Sequence, residues 1–292
     1  MDENEFLADR FETHRPHLRA VAYRMLGSLS EADDAVQEAW LRLSRAGADD
    51  IDNLGGWLTT VVGRVCLNML RSRVTRGELP LETHVPDPII GRVNGDDPEQ
   101  QALMADSVGL ALLVVLDTLA PPERLAFVLH DLFAVPFDEI APIVGRTSTA
   151  TRQLASRARR RVQGAPTPDA DLSRQREVVE AFLTAARGGD FDALLACLDP
   201  DVVARSDGGA VNPSSVIRGA DAVARGASQF GRLAAAPVQL AMVNGAAGAV
   251  AVRDGQVMAV AAFTVADGKV VALDILTDPE RLARLDLTLL DS

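Results

Sequence analysis

The stretch from Pro136 to Val162, PFDEIAPIVGRTSTATRQLASRARRRV, decides how the chain is read. Its apolar positions predict a helix, a tight turn and a second helix. Ile140 and Val144 share the inner side of the first helix, and Gly145 permits the turn. Thr147 stands where a hydroxyl can accept a backbone N–H and start the second helix. There Thr151, Leu154, Ala155, Ala158 and Val162 keep an inward spacing, with small residues that let two helices cross closely. Outward go Ser148, Thr149, Arg152, Gln153, Ser156 and Arg160, hydroxyls, an amide and guanidinium groups suited to base edges and phosphates in a major groove. A helix that merely faces solvent usually interleaves Glu with Arg for i,i+4 support. Between Ile140 and Pro168 there are six arginines, Arg146 and Arg157 among them, and no acid. Pro142 removes one backbone bond, so the first helix is expected to be bent or weak there.

This local basic surface sits in an acidic chain. The formal net charge of −12 would by itself argue against a nucleic-acid partner, because phosphate neutralisation dominates such affinity. The acids, however, gather near the N-terminus and in linkers, which leaves the basic reader intact. With 292 residues, 48% of them hydrophobic, the chain can build two or three separate cores. The opening MDENEFLADRFE is acidic where a signal peptide would be basic, and no window approaches eighteen uninterrupted apolar residues. A cytoplasmic protein without a membrane partner is expected. Cys66 and Cys197 lie far apart with no C-x-x-C or His/Cys cluster, so neither a disulfide nor a metal site is expected, and both read as small buried hydrophobes.

Working outward, the N-terminal part reads as helices. Leu18, Val21, Ala22, Met25 and Leu29 repeat at helical spacing. Val36, Ala39, Trp40 and Leu43 do the same after Ser30, whose hydroxyl is placed to cap that second helix. A Gly/Asp/Asn-rich loop from Arg45 to Gly56 leads into a third helix from about Trp57 to Arg73. One side of it is apolar; the other is a narrow stripe of Thr60, Arg64, Asn68 and Arg71, free of acid. Residues 76–101 are rich in Pro, Gly and acid and form a linker. Helical signals resume in ADSVGLALLVVLDTL and after Pro121-Pro122-Glu123. GAPTPDAD, residues 164–171, marks another boundary. Beyond it come one or two helices over Leu172–Leu198. Short apolar runs then follow from Pro237, separated by Asn-Gly and Asp-Gly turns of the kind that join antiparallel strands.

The order SEADDAVQEAWLRL (30–43), WLTTVVGRVCLNMLRSR (57–73) and LAPPERLAFVLHDLFAVPFDEIAPIVGRTSTATRQLASRARRR (119–161) resembles regions 2 and 4 of extracytoplasmic-function sigma factors. The match runs over roughly residues 5–163. The RQLASRARR run resembles the subgroup that carries a fused SnoaL-like extension. The resemblance implies a multidomain chain: a region 2 helical bundle over 1–75, a linker over 76–105 and a region 4 helix-turn-helix over 106–165. Residues 166–292 would form an α+β SnoaL/NTF2-like cone with a curved antiparallel sheet. The partners it implies are core RNA polymerase, through its β′ clamp and β flap, and promoter DNA. Asp33, Asp34, Gln37 and Glu38 fall on the polymerase-binding surface. Trp57, Thr60, Arg64, Asn68 and Arg71 fall on the part that captures the −10 element, where a base leaves the stack; Trp57 could stack on a base there, although a Trp that opens an amphipathic helix is more often core. Arg146, Thr147, Ser148, Thr149, Arg152, Gln153, Ser156, Arg157 and Arg160 fall on the −35 reader.

SnoaL-like domains share their fold with ketosteroid isomerases and polyketide cyclases, chemistry that uses a carboxylate base and often a Tyr oxyanion donor. Residues 166–292 contain neither Tyr nor His. Asp207 and Asp274 are the carboxylates to watch, Asp274 being expected on one strand face with Val270 and Ala272, pointing into the cone. The expected activity is none, with no catalytic residue, cofactor or metal; a small-molecule ligand of the cone stays open. The alternative is a ligand-sensing or isomerase/cyclase domain fused to an ordinary helix-turn-helix transcription factor. In the resembling subgroup the extension regulates by contacting the interdomain linker. The segments that correspond here are Val85-Pro86-Asp87-Pro88 in the linker, Asp207-Gly208-Gly209-Ala210, and Asp278-Pro279-Glu280-Arg281-Leu282. Glycines 208 and 209 would permit a tight turn and a close backbone approach.

Overall fold

The computed structural model describes residues 3–46, 51–76, 82–91, 109–233 and 237–285. Parts of the expected loop at 45–56 and most of the 76–105 linker lie outside them, as does the start of the helix expected from Ala105. The chain forms two compact units, residues 1–79 with 115–164 and residues 80–114 with 165–292.

In the first unit α1 (Glu3–Leu26), α2 (Leu29–Ala46) and α3 (Leu54–Thr75) pack together through their apolar stripes. Leu18, Val21 and Met25 from α1, Val36 and Leu43 from α2, and Leu58, Val62 and Cys66 from α3 are buried, each large aliphatic contributing about 1.5–3 kcal/mol. Two helix starts differ from expectation. Helix α2 begins at Leu29, so Ser30 lies inside its first turn and does not cap it. Helix α3 begins three residues before Trp57, because the Asn53 side chain accepts the Gly56 N–H at 3.0 Å.

After α4 (Leu110–Asp117) come α5 (Pro121–Phe127), a π-helical turn over Val128–Leu132, α6 (Phe137–Val144) and α7 (Ser148–Gln163). Helix α6 continues through Pro142; Ile140, Ala141, Ile143 and Val144 are buried, and that packing offsets the lost bond. The two helical segments are joined by apolar and polar contacts. A Cβ at Gly63 of α3 would stand 3.2 Å from Leu129 Cδ1 and 3.4 Å from Leu125 Cδ1, so glycine lets the two leucines pack close against the helix, and a larger residue there would require them to shift by a few tenths of an ångström. Arg124, 3% exposed, donates to the Leu116 carbonyl at 2.7 Å and to the Met25 carbonyl at 2.8 Å, and pairs with Asp117.

In the second unit α8 (Leu172–Gly188) is capped by Asp171 and α9 (Phe191–Cys197) by Asp190. They are followed by β2 (Leu198–Asp207), β3 (Ser215–Arg218) and α10 (Ala220–Leu233). The meander is β4 (Val238–Val243), β5 (Ala246–Arg253), β6 (Gln256–Ala266) and β7 (Lys269–Leu276), then the short α11 (Pro279–Leu282). Its three turns carry Asn244-Gly245, Asp254-Gly255 and Asp267-Gly268, all at positive φ, as hairpins of this type require. A linker strand, β1 (Ile90–Gly91), pairs antiparallel with β4, giving the order β1-β4-β5-β6-β7-β2-β3 among the described residues. The sheet is open and mixed, a correction to the antiparallel expectation, because β2 runs parallel to β7.

Helices α8, α9 and α10 cover one face, where Phe182 meets Phe263 edge to face at 5.3 Å among Val179, Leu194, Val202, Val223 and Leu273. Asp274 does not point into this core. A bulge opposite Thr264 and Val265 shifts the β6–β7 register, pairing Val265 with Val270 but Thr264 with Ala272. Val270 therefore lies in the helix-covered core, while Ala272 and Asp274 take the opposite face. There Asp274, 2% exposed, accepts from Arg205 at 3.0 Å. Burial pushes its carboxyl up, and the Arg205 guanidinium works against that shift. Cys66 is buried as expected; Cys197 is only partly so.

Candidate functional site

Four surfaces gather the residues singled out in the sequence. The first is α7. Gly145 takes the left-handed conformation (φ 69°), and the Arg146 N–H closes the turn on the Ala141 carbonyl at 3.0 Å. Thr147 caps the helix by accepting the Ala150 N–H at 3.2 Å. Thr151, Ala155 and Ala158 are buried against the preceding helices. Arg146, Thr149, Arg152, Gln153, Ser156, Arg157 and Arg160 are left exposed along the outer side. Ser148 is half-buried and donates to Asp138 of α6 at 2.5 Å. Arg157 reaches Glu123 only at 3.8 Å with 58% of its side chain exposed, a pair worth at most about 1 kcal/mol. The tight ion pair on this helix, Arg159 with Asp131 at 2.5 Å, involves a residue outside the predicted set.

On α3, Arg64, Asn68 and Arg71 are exposed and Trp57 and Thr60 half-buried, forming one stripe. On α2, Asp33, Asp34 and Gln37 are exposed and Glu38 is half-buried. Two of these acids are paired within the chain, Asp33 with Arg19 at 2.7 Å and Glu38 with Arg42 at 3.0 Å. Leu41, 39% exposed and four residues beyond Gln37, extends the same face with an apolar group that the sequence reading passed over.

The fourth surface lies within the second unit, where residues 82–91 run across the end of the sheet. Arg281 is its hub: it donates to Asp87 at 2.7 Å, to Asp207 at 2.8 Å and to the Val85 carbonyl at 2.5 Å. Asp207 also accepts the Val85 N–H at 3.0 Å, and His84 Nδ1 lies 3.3 Å from it. Burial alone would raise the Asp207 carboxyl. The His84 imidazole, the Val85 N–H, Arg281 and the Gly209 N–H together hold it far below the usual range instead. Asn244 clips the same segment, accepting from the Ile89 N–H at 2.9 Å and donating its own N–H to the Ile89 carbonyl at 2.8 Å.

Pro86 and Pro88 are buried in this segment. Gly208 packs on Asn212, and Gly209 on Asp278, where a Cβ would collide with the carboxylate. Asp278 caps α11, and Pro279 opens that helix and is exposed. Asp87 and Asp207 were expected at this contact, whereas Arg281, His84 and Asn244 were not. Arg281 stood inside a quoted motif, and a lone basic residue among acids was the available signal.

Among the described residues no group of His, Cys, Asp and Glu could hold a metal ion, and no helix is long and apolar enough to cross a membrane.

Family models match in three places: sigma-70 region 2 over residues 10–76, sigma-70 region 4 over 109–162, and a SnoaL-like domain over 179–273. The chain is 40% identical over 287 residues to the ECF RNA polymerase sigma factor SigJ of Mycobacterium tuberculosis, covering 93% of this chain and 91% of that one. It is 34% identical to the probable ECF RNA polymerase sigma factor SigI of the same species, over 97% of each chain. The crystal structure of M. tuberculosis SigJ superimposes with a TM-score of 0.74 at 37% identity, over 96% of this chain and 100% of that one.

Proposed function

Because this chain belongs to the extracytoplasmic-function RNA polymerase sigma factors, we propose that three of its surfaces divide the work of promoter recognition and that its C-terminal domain tunes them. As a sigma factor it directs promoter-specific transcription initiation and is not itself an enzyme. In this reading the face of α2 with Asp33, Asp34, Gln37 and Glu38 binds the β′ clamp of core polymerase, its acids suiting a basic partner. The stripe Thr60, Arg64, Asn68 and Arg71, with Trp57 at its head, holds the −10 element. Helix α7 enters the major groove at −35, with the region 4 segment against the β flap.

The observation that carries this reading is the exposed side of α7. Arg146, Arg152, Arg157 and Arg160 stand in solvent along a helix without an acid and at its entry, a surface that phosphates neutralise. Transcription by core polymerase on a promoter library randomised at −10 and −35 tests it. Arg152→Ala and Arg157→Ala each lower the salt slope of promoter binding by about one unit per lost phosphate contact. An unchanged slope in both would sink the assignment.

The C-terminal domain regulates by gripping residues 82–91, part of the connection between the two DNA-reading segments. Support comes from the Arg281 hub, which ties that connection to the cone through two acids and a carbonyl. Arg281→Met in the full chain is expected to change promoter-specific transcription with core enzyme. Deleting residues 171–292 is expected to change it more. No change in either would remove the regulatory role.

A further inference from the structure

The segment just before α6 is built in an unusual way. Val128–Leu132 is a π-helical turn, a feature that inserts an extra residue into the helix and recurs at functional sites. Ala134 then takes φ 55°, a conformation that non-glycine residues adopt only when the surroundings impose it. The bonds that impose it are Ala134 N–H to the His130 carbonyl at 3.1 Å and Val135 N–H to the Leu129 carbonyl at 2.9 Å. His130 Nδ1 lies 3.0 Å from the Val135 carbonyl; that oxygen can only accept, so Nδ1 carries the proton and the ring plane is fixed.

On this fixed ring Phe137 stacks, with centroids 3.7 Å apart and planes 26° from parallel. The Arg152 guanidinium lies over Phe137 at 5.6 Å from its centroid, inside the roughly 6 Å at which a cation is attracted by a ring face. The next residue, Asp138, accepts from Ser148 at the first position of α7. Two adjacent side chains at the start of α6 thus each touch one residue on the outer side of α7.

We propose that Phe137, seated on His130, and Asp138 are positioning residues for promoter selectivity, fixing how Arg152 and the head of α7 are presented to −35 bases. The proposal rests on the reading of α7 as the −35 helix. A long flexible arginine reads a base pair well when its planar fork is oriented beforehand. The column His130–Phe137–Arg152 orients it, and the strained turn supplies the ring at the base of the column. Ser148, tied to Asp138, then acts as a tether between the two helices.

The test is a double-mutant cycle in the full chain with core polymerase, scoring binding across promoters varied at −35 and at several salt concentrations. Phe137→Leu should reduce discrimination between preferred and altered −35 sequences by about 3–10-fold and leave the salt slope unchanged, since no charge is lost. Arg152→Lys, at an exposed site, keeps the charge but lacks the planar fork, and should give a similar loss. The two together should lose no more than either alone, and Phe137→Tyr should restore discrimination. If Phe137→Leu lowers the melting temperature, comparing Phe137→Tyr with Phe137→Met, each with and without Arg152→Lys, gives the same readout. Additive losses, or full discrimination in Phe137→Leu while Arg152→Ala loses both discrimination and slope, would overturn the brace and leave the −35 reading standing. Unchanged discrimination and slope in Arg152→Ala would overturn the reading itself.

Discussion

Arg281 and Arg160 carry the same guanidinium in opposite settings. The Arg281 side chain is 20% exposed and held between two carboxylates and a carbonyl, all in one unit. Arg160 stands in solvent on a helix with no acid to answer it. The first arrangement is closed: its guanidinium is matched inside the chain, so its effect is to hold the chain together. The second is open: its cations are left for an outside partner rich in phosphate. Arginine counts alone do not separate the two uses; the partners of each side chain do.

This contrast can be broken or sharpened by experiment. The largest effect on the fold should come from Arg205→Leu, which leaves Asp274 buried and unpaired, a change worth about 3–5 kcal/mol. Thermal unfolding should show it, and Asp274→Leu added to Arg205→Leu should recover most of the loss. Arg281→Met should destabilise the second unit by about 3 kcal/mol by the same mechanism, with faster amide exchange at Val85 and Ile89.

Acid should loosen the same hub without mutation. The favourable contacts of Asp207 exist only while it is ionised, and its folded pKa is depressed. Its contribution is complete above the unfolded value of about 3.9 and falls away as pH drops below that. Exchange at Val85 should therefore stay slow from neutral pH to about 4 and rise below it, whereas Asp207→Asn should abolish that acid limb.

Smaller still, Thr147→Ala removes the cap of α7 and should cost about 1 kcal/mol. At the far end Arg160→Ala should change stability by less than about 0.5 kcal/mol yet lower the salt slope of DNA binding by about one unit. A large stability loss there would place Arg160 in the class of Arg281.

Much of this was legible in the residues. The helix-turn-helix was marked by Gly145, Thr147 and the small inward side chains. The four meander strands were marked by Asn-Gly and Asp-Gly turns, and all three turns sit at positive φ as that chemistry demands. Strands β2 and β3 were missed, since LDPDVVARSD has a Pro, several acids and no clean alternation. The pairing of Arg281 with Asp87 and Asp207 joins residues 194 and 74 positions apart, and nothing periodic connects them. The π-helical turn was equally hidden, because VLHDL fits an ordinary helix and only the backbone of the folded chain shows the wider turn.

The bulge between β6 and β7 shows how little separates a structural sheet from a chemical one. Ahead of it the alternation of β7 runs in one phase and behind it in the other, so a single extra residue decides which side chains share the helix-lined chamber. Had the strand alternated strictly through Val271, Ala272 and Asp274 would fall in with Val270, and Leu273 would turn away. The chamber would then receive a carboxylate in place of a leucine. In this molecule the phase slip keeps that interior hydrocarbon and confines the acid, with its arginine, to the other side of the strand.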